Sequence, residues 1–154
     1  AQLKGLSASG KIETHRVILL KPQTFMNLSG QSVVSFLNYY KIPKERLLVI
    51  HDDMDIPFGT LRMRPSGGNG GQKGLGSVIE LLGTQQFARL RCGIGHPGGQ
   101  QDVKDYVLNK FSKAESEMLP DVICSAADAA EAFVTIGLEK AMTKFNGSVE
   151  HDAV

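Results

Sequence analysis

The stretch HDDMD, residues 51–55, packs one imidazole and three carboxylates into five positions. It closes the apolar run RLLVIHDD, so a buried strand would deliver these groups at its C-terminal end. Strand alternation sends His51, Asp53 and Asp55 one way and Asp52 the other. Three readings fit. Hard oxygen ligands and an imidazole could hold a metal ion. A carboxylate could orient a catalytic histidine and stabilise its charged form. The third reading is a solvated corner between strand and turn. In TFMN, Asn27 precedes a helical pattern and suits an N-cap, although an Asn beside a strand end can also hydrogen-bond a substrate.

The segment RPSGGNGGQKGLGS, residues 64–77, offers bare backbone ahead of an apolar helix. Glycine lets backbone N–H groups approach a ligand closely, and a helix N-terminus favours anions. Arg62, Arg64, Lys73, Arg89 and Arg91 are the cations that could gather there. A flexible strand-to-helix connection is the plain alternative. The loop has no GK[ST] and is not a Walker loop. GIGHPG carries GxGxxG spacing, but Pro97 and Gly99 make a turn and no helix opens there, so we treat the match as chance and His96 as a loop histidine. The sequence has no GxSxG, HExxH or CxxC and no Cys–His nucleophile pair. An enzyme built from this inventory is most simply a general-base hydrolase acting through water.

Positioning these groups takes alternating strands and helices. HRVILLKP (15–22) is a β-rich run stopped by Pro22, and helical spacing covers 28–42, ended by Pro43. TLRMRP (60–65) alternates, with Leu61 and Met63 on one side and Arg62 and Arg64 on the other. A helix follows over 72–84, ending at Gly83, and ARLRCGIG (88–95) is a strand with Arg89 and Arg91 on one face. VKDYVLNKF (103–111) suits a short amphipathic helix. Ser112 and Glu115 have capping-box spacing ahead of a long Ala-rich helix toward Gly137, in which Pro120 is a kink or the true first turn. GLEKAMTKFNG adds a last turn or two. The order predicts an α/β fold in three layers: a mixed, twisted sheet with helices on both faces. Residues 1–154 form one domain, with 1–14 loose or an edge hairpin and 147–154 loose.

The 154 residues are 42% apolar and 21% charged, ordinary for a globular domain, and the net charge of +1 excludes a polybasic tail. A nucleic-acid site would have to come from local placement of Lys and Arg. Cys92 and Cys124 lie in apolar surroundings and read as reduced, packed thiols, which argues against secretion. No apolar run approaches the roughly 20 residues of a membrane span.

Taken together, LLKPQTFMNLSGQSV, HDDMDIPFGTLRMR, GGNGGQKGLGSVIELLGTQQFARLRCGIGHPGG, VKDYVLNKF and GLEKAMTKFNG, spread over residues 16 to 146, resemble the bacterial-type peptidyl-tRNA hydrolase family. The resemblance implies hydrolysis of the ester between a peptide and the tRNA 3′ end, with no metal and no cofactor. It makes Asp52 the support of a water-activating histidine and Asn27 a contact near the scissile ester. Gly70, Gly71, Gln72 and Lys73 then belong to the substrate loop, and Arg64 and Arg91 face tRNA phosphates. The implied partner is tRNA, with no membrane. The expected setting is the cytoplasm, or a mitochondrion or plastid. The expected state is a monomer, or a chain associating through an open sheet edge if truncated.

Two departures stand out. The family opens with a strand, a GNPG-like loop and a TRHN stretch supplying the catalytic histidine; their lack here leads us to expect an N-terminally truncated domain. Lys73 also stands where the family has an Asn, Gln72 where a His is usual, and Gly76 where Lys or Arg is common. These departures motivate a second reading, a non-catalytic RNA-binding relative such as an organellar splicing cofactor. A third is a nucleotide-binding α/β module using the Gly-rich loop.

Overall fold

The computed structural model describes residues 5–22, 29–95 and 111–149. Strands β1 (Gly5–Ile12) and β2 (His15–Pro22) pair as an antiparallel hairpin, so the hairpin alternative holds from residue 5 onward. The hairpin is a two-stranded sheet of its own, largely exposed, and Leu20 reaches from it to the core. Helix α1 (Ser29–Tyr40) turns Val33 and Phe36 inward. It stops where Lys41 adopts φ 56°; the Ile42 N–H closes back on the Leu37 carbonyl at 2.9 Å, and Pro43 has no N–H to continue the helix.

The main sheet has strands β3 (Leu48–Asp53), β4 (Thr60–Arg64), β5 (Ala88–Gly93) and a short β6 (Gly147–Ser148), ordered β3-β5-β4-β6. β3 runs parallel to β5, whereas β4 is antiparallel to both β5 and β6, so the sheet is mixed. β6 lies in a segment expected to be loose. It is held because the Asn146 side chain accepts from Met63 N–H at 2.6 Å and donates to its carbonyl at 3.1 Å, docking the chain on the edge of β4. β3 is an edge strand among the described residues, not the buried strand its composition suggested, and Ile50 is 53% exposed.

Helix α2 (Lys73–Leu82) is N-capped by Gln72 and closed by Gly83 at φ 72°. Helix α3 (Lys113–Thr135) opens with the expected Ser112–Glu115 capping box and runs through Pro120, which is therefore not its first turn. Helix α4 (Leu138–Phe145) follows. Leu61, Met63 and Leu90 pack against Val122, Ala129 and Ala132 of α3 and Ala141 of α4. Val49 on the opposite parity of β3 meets Val33 of α1 and Leu75 and Val78 of α2. Helices thus cover both faces, as three-layer α/β requires. The helix expected over 103–111 lies outside the described residues except for its last position.

Candidate functional site

The charged groups collect where β3 and β5 end and the Gly-rich loop crosses them. Two glycines permit the close approaches involved. Gly30 lets α1 touch α2, donating its N–H to Ser77 Oγ at 2.9 Å where a Cβ would collide with the Ser77 carbonyl. Gly93 lets β5 pass against the Pro57 carbonyl in the turn after β3. Asn27 lies outside the described residues; Ser29 and Gly30 just beyond it are buried in the first turn of α1.

Each carboxylate of the acidic cluster has a different task. Asp52 Oδ1 accepts from Gln72 Nε2 at 3.3 Å, while Gln72 Oε1 accepts from Leu75 N–H at 2.7 Å. One side chain therefore caps α2 and holds the Asp52 carboxylate. Asp53 Oδ1 accepts from the Asp55 N–H at 2.8 Å, and its Oδ2 lies 3.2 Å from Arg91 Nε. That contact is an ion pair by distance, with the N–H not aligned for a hydrogen bond. His51 is 9% exposed; its Nδ1 is 2.8 Å from the Asp52 backbone carbonyl, not from a carboxylate. Burial holds its pKa below the usual histidine value, opposed by that carbonyl and by Asp53. No carboxylate–imidazole pair forms on His51, and among the described residues no group of three His, Cys, Asp or Glu is placed to hold a metal.

The arginines form a square on one face of the sheet. Register places Arg62 opposite Arg91 and Arg64 opposite Arg89. Arg64 is exposed, whereas the side chain of Arg91 is 24% exposed and engaged with Asp53. Arg89 is fully buried beneath the Gly-rich loop. Gly70, at φ 58°, lies over the Arg91–Asp53 pair: a Cβ there would come 3.4 Å from Arg91 Nη2 and 3.8 Å from Asp53 Oδ2. Gly71, at φ 82°, donates its N–H to Asn69 Oδ1 at 2.9 Å. Lys73 is exposed at the first position of α2, where the helix dipole disfavours a cation. Gly76 makes room for Asn69, whose Nδ2 would lie 2.9 Å from a Cβ.

Sequence reasoning paired Arg89 with Arg91 by parity but did not separate a buried anchor from a half-buried pair. The Gln72–Asp52 bond has no signature in the sequence, which points to Gln72 only as a substrate contact. What its position does signal is capping: a Gln three positions before the Leu75 N–H it caps. The thiols divide too. Burial, then the Asp52 charge, pushes Cys92 up to about 11, so it stays a thiol. Cys124 is exposed, which corrects the packed reading: it occupies an outward position of α3, whose buried positions are Val122, Ala129 and Ala132. No helix of the described residues is long and apolar enough to cross a membrane.

Fold and site define an α/β protein with a carboxylate at a strand end beside an arginine-backed glycine loop. The sequence pattern of the family described as peptidyl-tRNA hydrolase matches residues 1–153, and the chain belongs to that family. It is 47% identical over 146 residues to a peptidyl-tRNA hydrolase of Bdellovibrio bacteriovorus, covering 94% of this chain and 78% of that one. It is 53% identical over 135 residues to one of Desulforamulus reducens, covering 88% and 65%. A crystal structure of a peptidyl-tRNA hydrolase with n-propanol superposes with a TM-score of 0.89 at 37% identity, over 97% of this chain and 76% of that one. The Acinetobacter baumannii peptidyl-tRNA hydrolase gives 0.88 at 38% identity, over 96% and 75%. The chain spans 65–78% of the length of these relatives, and the matches do not support the non-catalytic alternative, since the relatives carry the hydrolase name.

Proposed function

We propose that this protein hydrolyses the ester joining a peptide to the 3′ end of tRNA, returning free tRNA from stalled translation. The observation that carries the reading is the Gln72–Asp52 bond. It ties the carboxylate at the end of β3 to the first turn of α2, next to an arginine-bearing sheet face. A fixed carboxylate suits the support of an imidazole base, a partner that no histidine of the described residues supplies to Asp52: it would hold the tautomer and stabilise the imidazolium formed as water loses its proton. Water then attacks the ester carbonyl, the tetrahedral oxyanion collapses, and the ribose oxygen leaves with a proton. Asn27 serves as the contact near the ester. Gly70, Gly71 and Lys73 line the substrate loop, with Gln72 acting on Asp52. Arg64 supplies a phosphate contact, reading the acceptor stem by charge and shape. The compartment is one in which translation runs, the cytoplasm first.

Release of labelled peptide from a peptidyl-tRNA by the full chain tests this. Asp52→Asn is expected to lower kcat by about 100-fold or more with KM little changed, the pattern of a group acting on the base in the transition state. Absence of hydrolysis above the uncatalysed rate, in protein shown to be folded, rejects the proposal.

A further inference from the structure

Arg89 is the largest fully buried side chain in the described residues, and no carboxylate there contacts it. Its guanidinium is spread over backbone carbonyls instead. Nη1 donates to Gly67 at 2.7 Å and to Gly68 at 3.0 Å; Nη2 donates to Gln85 at 2.9 Å and to Phe87 at 3.3 Å. The group also lies 4.4 Å from the centre of the Phe87 ring. A buried cation is costly unless it is hydrogen-bonded, and here oriented carbonyl dipoles compensate Nη1 and Nη2, while Nε is buried without a partner among the described residues. Burial and the neighbouring Arg91 charge both weigh against the charged form, yet an arginine stays protonated in proteins.

The direction of those carbonyls has a consequence for the loop. In a trans peptide the C=O and the following N–H point opposite ways. Drawing the Gly67 and Gly68 carbonyls inward turns the N–H groups of Gly68 and Asn69 outward. Neither N–H has a partner among the described residues, and the space at the Gly68 Cα is open. The Gly67 N–H, by contrast, is already used by the Gln85 carbonyl at 3.4 Å.

We propose that Arg89 is a positioning residue: it clamps the glycine loop so that the Gly68 and Asn69 amides face the substrate and receive one of its anionic oxygens. That oxygen is a backbone phosphate oxygen of the tRNA 3′ end or the oxyanion formed at the ester. The inference rests on the peptidyl-tRNA reading, and wild-type turnover decides that reading separately. Arg89 never touches substrate; it acts through the loop.

Arg89→Met and Arg89→Lys, compared with wild type, give the test. A phosphate contact predicts KM raised by about tenfold or more in Arg89→Met with kcat kept; an oxyanion contact predicts kcat lowered by about 100-fold with KM kept. Arg89→Lys keeps the charge and part of the hydrogen bonding, so it recovers part of the loss. In both variants hydrogen exchange should quicken at Gly67, whose bond to Gln85 depends on the clamp, and remain slow in β5. A folded Arg89→Met enzyme with wild-type KM, kcat and exchange overturns the proposal. If Arg89→Met does not fold, Arg89→Lys and the wild-type protein decide. On titration with a deacylated acceptor-stem minihelix, the wild-type Gly68 and Asn69 amide resonances should shift together. Unmoved amides at saturation, together with unaltered Arg89→Lys kinetics, equally overturn it.

Discussion

Two regions of the main sheet bury residues equally well and by opposite means. On one face Leu61, Met63 and Leu90 are fully buried against α3 and α4. On the other, beside the apolar contacts of Val49 with α1 and α2, Arg89 is just as buried, one residue before Leu90, beneath a loop without a hydrophobic side chain of its own. The apolar face is held by exclusion of water, about 2 kcal/mol for each large side chain buried, and accepts any well-fitting hydrocarbon. The charged region beneath the glycine loop is held by direction. Arg89 needs four carbonyls at set positions, and Asp53 needs Arg91 and the Asp55 N–H. The first region makes stability; the second spends some of it on fixing polar groups, which is what a site requires.

This contrast can be broken experimentally. The largest effect belongs to the apolar face: Leu90→Ala should cost about 2–5 kcal/mol by cavity formation while turnover per folded molecule stays near wild type. Urea unfolding and an assay corrected for folded fraction check both halves; a cost under about 1 kcal/mol would mean that face is loosely packed. Next comes Asp53→Asn, which strands Arg91. We expect a loss of about 2 kcal/mol, below the full value for a buried pair because Arg91 is partly solvated. An unchanged denaturation midpoint would show the pair to be incidental.

A smaller effect concerns His51. Its folded pKa lies below the ordinary 6.5, so folding favours the neutral ring. The stability this confers is complete above the unfolded pKa and is lost as pH falls from there through the lower folded value. His51→Gln should flatten that part of the stability–pH curve relative to wild type, and parallel curves would remove His51 as the cause. The smallest stability effect is at exposed Arg64: Arg64→Ala should stay within about 0.5 kcal/mol of wild type yet reduce the salt slope of tRNA binding by about one. Arg91→Ala should instead lose stability through Asp53. Should Arg64 and Arg91 behave alike, the division between a free cation and a paired one fails.

The parts of this protein legible in its sequence are those decided over a few residues. Proline and glycine marked the helix ends, Ser112 and Glu115 marked the start of α3, and alternation sorted Leu61 and Met63 from Arg62 and Arg64. The edge position of β3 was not legible, because RLLVIHDD is as apolar as a buried strand and only pairing decides which strand lies outermost. Nor was the ordering of 147–148, which depends on Asn146 reaching Met63 across 83 positions.

The site divides the same way. Residue types and parity established by themselves that carboxylates end one strand, arginines line one face of another, and bare backbone lies between them. Tertiary structure alone decided what each does. Gln72 is joined to Asp52 across 20 positions of sequence, Arg89 is taken up by the loop's carbonyls, and Arg64 is left open to solvent. Local sequence sets the direction a side chain leaves its backbone. Whether it then meets water, a carboxylate or a carbonyl depends on which distant segment folds over it.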